Sequence, residues 1–118
     1  MPDKVLCQLS DLDATGAKGP IRVAGPDGRT VDVFVVRQDG AVRAWIDCCP
    51  HAFVPLEMEP DRFLDLTGGF VLCTMHGAHF DVDTGKCVQG PCRGLGLTAY
   101  PIRIHNGKVV ADTRPNGV

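Results

Sequence analysis

Short runs of apolar or alternating residues, each closed by a turn signal, fill most of the chain. Val5 to Leu9 alternates loosely. The small, polar stretch from Asp11 to Gly19 reads as a connection or one short turn of helix, and Ile21-Arg22-Val23 resumes a strand. Gly25-Pro26-Asp27-Gly28 is a turn, with Pro fixing φ and Gly admitting positive φ. Val31 to Val36 is β-branched and apolar, the pattern of a buried strand. Asp39-Gly40 matches a two-residue hairpin turn into Ala41 to Ile46. From Asp47 to Gly69 the periodicity weakens, and Pro50, Pro55 and Pro60 break any long element. Strand character returns at Phe70-Val71-Leu72. His79 to Val82 and Lys86 to Val88 flank a hairpin signal at Asp83-Thr84-Gly85, and Gly90 to Gly94 is a further irregular loop. The clearest hairpin is Tyr100 to His105, Asn106-Gly107, Lys108 to Ala111, followed by a loose tail at 114–118. No long helical periodicity and no repeat interrupts this. Roughly eight to ten short strands predict an all-β, antiparallel sandwich or barrel-like domain.

Composition narrows the function classes. A chain of 118 residues with 44% apolar and 22% charged residues is one ordinary globular domain. Twelve basic against 14 acidic residues give a charge of -2, with no basic run, which argues against nucleic acid. No segment approaches the roughly 18 apolar residues of a membrane span, and no secretory signal is visible. The expected compartment is the cytoplasm, where six cysteines read as metal ligands or free thiols before disulfides.

The chemistry concentrates in two short chelating pairs. Cys49-Pro50-His51 is a Cys-x-His, and Cys73-Thr74-Met75-His76 a Cys-x-x-His, with 21 residues between them. Two soft thiolates and two neutral imidazoles suit a closed tetrahedral zinc site. They also suit a two-iron cluster with cysteines on one iron and histidines on the other. Ligand count does not separate the two. The mixed pairing favours the asymmetric cluster, because each segment then sends its Cys to one iron and its His to the other. Cys48 competes with Cys49, since Cys48 to His51 is itself a Cys-x-x-His.

Cys49-Pro50-His51, Cys73-Thr74-Met75-His76-Gly77, Phe80-Asp81, Thr84-Gly85 and Gly90-Pro91 together resemble the Rieske iron–sulfur family, over about residues 4–112 and most sharply over 45–91. The resemblance implies one [2Fe–2S] cluster, with Cys49 and Cys73 on the inner iron and His51 and His76 on the outer. It favours Cys49 over Cys48, which becomes a packed thiol. It implies a base domain of approximately 1–46 and 94–113 and an inserted cluster-binding subdomain of approximately 47–93. Within the family the chain is most similar to small soluble ferredoxins of ring-hydroxylating oxygenases, although its gap between the pairs is somewhat longer. High-potential respiratory members carry a disulfide across the cluster loops; Val54 and Met75 stand at those places. They also carry a Ser and a Tyr hydroxyl near the cluster, where Ala78 and Phe80 stand here. Without those donors the reduced form is less stabilised, which implies the low end of the Rieske span, roughly -150 mV.

The resemblance therefore implies a one-electron carrier without a substrate site, passing electrons from a reductase to a terminal oxygenase or similar redox enzyme. The small subunit of a nitrite reductase and a stand-alone redox protein are related readings, and 118 residues leave no room for an oxygenase's mononuclear-iron domain. A reading of another class is a zinc-stabilised binding module. Beyond the ligands, His79 is expected near the cluster without ligating it, His105 on the surface and Cys7 in the core. Cys87 and Cys92, five apart, have the spacing for a disulfide, but its geometry is demanding and the expected compartment reducing, so free thiols are expected. Phe53, Pro55, Met75 and Pro91 read as apolar covers over the cluster, with ordinary local core an equal reading for Phe53. The acidic stretch from Glu57 to Asp65 reads as a solvated loop or a surface that steers a basic partner.

Overall fold

The computed structural model describes residues 4–13, 16–24, 29–38, 40–48, 56, 61–65, 68–73, 77–90 and 94–112. Within them run β1 (Val5–Gln8), a 3-10 turn (Leu9–Leu12), β2 (Ala17–Ala24), β3 (Thr30–Gln38), β4 (Ala41–Ile46), β5 (Phe70–Cys73), β6 (Ala78–Asp81), β7 (Cys87–Gln89), β8 (Ile102–His105) and β9 (Lys108–Ala111). Every strand pairing is antiparallel. The strands form three three-stranded sheets, ordered β1-β9-β8, β2-β3-β4 and β5-β6-β7. The all-β expectation holds. No helix among the described residues is long and apolar enough to cross a membrane.

Strand β3 explains its own composition. Successive side chains on a strand point to opposite faces. Val33 and Val35 enter one buried cluster, with Leu6, Cys7, Val109 and Tyr100. Phe34 and Val36 enter another, with Trp45, Leu56, Cys73 and Phe80. All four are fully buried, so an unbroken apolar run is what this position demands. Each such side chain contributes about 1.5–3 kcal/mol by leaving water. β3 is thus a wall shared by both cores, and its second face looks toward the β5-β6-β7 sheet.

Two hairpins form where their turn residues predict. Gln38 pairs with Ala41 across one. His105 pairs with Lys108 across the other, where Asn106 and Gly107 take φ of 52° and 73°. Two elements depart from expectation. β2 begins at Ala17, inside the stretch read as a connection; a register shift between Lys18 and Ile21 accommodates Gly19-Pro20 within the strand. Residues 95–100, whose pattern predicts no strand before Tyr100, form a connecting ribbon. Leu97 N–H donates to the Gly85 carbonyl at 2.8 Å, and Leu95 accepts from Cys87 N–H at 3.0 Å. Further on, Ile46 N–H donates to the Thr98 carbonyl and Tyr100 N–H to that of Ala44. The ribbon therefore sews β7 to β4.

Candidate metal centre

Two chain reversals frame the candidate centre. The second closes β5 onto β6. Cys73 ends β5 and pairs with Ala78, and its carbonyl accepts the Gly77 N–H at 2.9 Å. Gly77 itself has φ of 69°. Cys73 and Gly77, the residues on either side of 74–76, are thus locked together. The Cys73 side chain is fully buried on the same sheet face as Ala78 and Phe80, both also fully buried.

The first reversal is clasped at its stem. Leu56 N–H donates to Asp47 Oδ1 at 2.9 Å. Asp47 is held in turn by its own N–H, which donates to the Asp32 carbonyl at 2.8 Å. Leu56 is fully buried and shares a cluster with Cys73, Ala78 and Phe80. Leu56 and Cys73 therefore stand in one apolar wall. A third segment closes in after β7. Gly90, with φ of 107°, lies so near Ala78 that an added Cβ would sit 2.7 Å from the Ala78 Cα. Only glycine allows that approach.

Of the four expected ligands, Cys73 is described and stands at the stem of its segment. Cys49, His51 and His76 lie outside the described residues, as do Phe53, Val54, Pro55, Met75, Pro91 and Cys92. Among the described residues no group of three or more His, Cys, Asp or Glu side chains comes together. Cys48 is half-buried, its N–H donating to the Ile46 carbonyl. His79 alternates to the sheet face opposite Cys73, with Nδ1 2.9 Å from the Gly77 carbonyl and Nε2 3.7 Å from Asp65 Oδ2. His105 is exposed. Cys87 is a free thiol whose Sγ donates to the Gln89 carbonyl at 3.4 Å. Cys7 is buried in the core, and burial, with Asp11 nearby, pushes its thiol up to about 11.

The acidic stretch is less solvated than its composition suggests. Asp61 accepts the Gly19 N–H at 2.9 Å, donates its own N–H to the Gly19 carbonyl and pairs with Lys18 at 3.3 Å. Asp65 N–H donates to the Phe70 carbonyl, and Leu72 N–H to that of Phe63, so 63–65 runs antiparallel beside β5. Two of the four acids thus hold structure. Glu57 and Glu59 lie outside the described residues. Asp81 shapes the next turn. Its carboxylate accepts the Thr84 and Asp83 N–H groups, at 3.0 and 2.8 Å, and these bonds hold it below the usual range. Asp47 and Asp65 are the site-framing residues that motif reading missed. Neither belongs to a chelating pattern, and their partners lie across a loop or on another strand.

A model of the Rieske [2Fe-2S] domain matches residues 3–101. The chain is 37% identical, over 89 residues, to the oxygenase component of dicamba O-demethylase from Stenotrophomonas maltophilia; that stretch is 72% of this chain and 24% of that protein. It is 27% identical over 104 residues to the ferredoxin component of the naphthalene 1,2-dioxygenase system from Pseudomonas putida, covering 88% of each. Among solved structures it is similar to a ferredoxin from Sphingomonas yanoikuyae B1, with a TM-score of 0.68 and 26% identity over 96% of this chain and 100% of that one.

Proposed function

The chain belongs to the Rieske [2Fe-2S] domain family, and from that premise we propose that it is a one-electron carrier whose single cluster is held by Cys49, His51, Cys73 and His76. Cys49 and Cys73 bind the inner iron; His51 and His76 bind the outer. When bound, the cluster supplies a one-electron couple. The observation that carries the reading is the buried Cys73 at the stem of a locked reversal, sharing one apolar wall with Leu56 at the stem of the other. A thiolate there fits an inner iron, since the wall excludes water from sulfur. The partition into a base of approximately 1–46 and 94–113 and a cluster-binding subdomain of approximately 47–93 belongs to the same proposal.

The residues of the chain do the rest. Asp47 and Leu56 clasp the first ligand segment, and the Cys73–Gly77 bond clasps the second. Ala78 and Phe80 present hydrocarbon, not hydroxyl donors, on the Cys73 face. This supports a potential near the low end of the family, roughly -150 mV. The partners proposed are a reductase as donor and a terminal oxygenase or similar redox enzyme as acceptor, in the cytoplasm. Coverage of 88% on both sides with a dioxygenase-system ferredoxin supports a carrier and not a catalyst. The likeness to the dicamba oxygenase component spans 24% of that protein and bears on the carrier module alone.

The test is metal analysis with EPR of the purified, dithionite-reduced protein. Two irons and two sulfides per chain, with a rhombic reduced signal, are expected. A colourless protein containing only zinc would overturn the reading in favour of a zinc-stabilised binding module.

A further inference from the structure

We propose that His79 is a positioning residue for the second ligand segment, its Nδ1 holding the Gly77 carbonyl while Asp65 and Phe70 flank the ring. This rests on the cluster reading above, because the segment matters through Cys73 and His76. Three contacts from three places converge on the ring. Nδ1 is 2.9 Å from the Gly77 carbonyl. Nε2 is 3.7 Å from Asp65 Oδ2, with side-chain exposures of 24% and 14%. The Phe70 ring meets it edge-on at 6.1 Å and 74°.

A carbonyl only accepts, so Nδ1 carries the proton in this contact. The donor must therefore be the near ring nitrogen, whichever state the far one adopts. Asp65 is a fixed anchor: its N–H donates to the Phe70 carbonyl and its carbonyl accepts from Gly68 N–H. The gripped peptide group follows Gly77, whose lack of a Cβ and left-handed φ of 69° make its backbone permissive, so a bond to its oxygen adds restraint there. Leu72, beside Cys73, pairs with His79 across the sheet, so the grip lies on the sheet face opposite the Cys73 side chain. His79 thus fixes the exit of the ligand turn without touching a metal.

The side-chain amide of Asn places a donor near the position of Nδ1, whereas that of Gln places it nearer Nε2. The test compares His79→Asn, His79→Gln and His79→Ala, each checked for iron content, by the reduced-state EPR line shape and the midpoint potential. The expected result is a wild-type signal and midpoint for His79→Asn, with broadened lines and a shifted midpoint for His79→Gln and His79→Ala. Wild-type behaviour in all three overturns the proposal. So does an equal shift in all three, because the near donor would then not be the operative group. If His79→Ala fails to load, the Asn and Gln pair decides alone. A wild-type protein without two irons sinks the cluster reading instead, so the two failures are distinguishable.

Discussion

Asp47 fixes with one carboxylate oxygen where the chain returns to the core at Leu56. Removing it in Asp47→Ala leaves the buried Leu56 N–H without this acceptor, at a cost of about 1–3 kcal/mol. The expected outcome is a lower denaturant midpoint and faster bleaching of the cluster, with a smaller effect for Asp47→Asn, which keeps an acceptor. The competition between adjacent thiols is settled by iron content. Cys49→Ser and Cys73→Ser are expected to lose the cluster, and Cys48→Ser to retain two irons per chain. Asp81 supplies a pH dependence. Its carboxyl is depressed by the Thr84 and Asp83 N–H bonds, so its contribution is full above the ordinary value of 3.8 and is lost as pH falls through the lower folded value. The stability gap between wild type and Asp81→Ala should therefore be constant at neutral pH and close only in strong acid, as read by urea midpoints across that range. Chelating pairs are legible in a sequence because their geometry is local: one or two residues separate the donors. Asp47 and Asp65 were not legible, because what makes them matter is a partner nine residues away for one and another strand's histidine for the other.

Hairpins were readable where the turn chemistry is strict. Asn106-Gly107 adopts the two left-handed conformations that its sequence favours. The start of β2 was not, because Lys18, Gly19 and Pro20 are poor strand formers; the pairing of Ala17 and Lys18 with β3 and the Asp61 bonds to Gly19 hold this stretch extended. The 95–100 ribbon was hidden for the same reason. Gly96, Thr98 and Ala99 are weak strand signals and the apolar run is short, yet it borrows its hydrogen bonds from β7 on one side and β4 on the other. Tight element packing gives a sharp test at Gly90. Gly90→Ala would drive a Cβ into the Ala78 backbone from a residue at φ of 107°. Backbone strain of about 1–3 kcal/mol is expected, seen as a lower melting temperature and weaker cluster retention.

At the scale of the whole molecule, two cores share β3, and three sheets are held in one frame by pairings between distant parts of the chain. That arrangement was only partly legible. Alternation reveals strands, but which strand finds which depends on contacts such as Val5 with Val110, which no local signal encodes. The core nonetheless has a chemical signature. With its thiol raised from 9.0 to about 11, Cys7 is expected to resist alkylation at pH 8 in the native protein and to react once the fold is opened. Because the folded value is the higher one, its contribution to stability is full below 9 and declines as pH rises toward 11. The pairing of β1 with β9 also sets an order of assembly. On the ribosome β1 emerges early, yet its partner strand, Lys108–Ala111, is made long after both ligand segments. The ribbon that sews the two sheets together likewise follows them. The β1-β9-β8 sheet is therefore completed only after every other strand of the described residues has been synthesised.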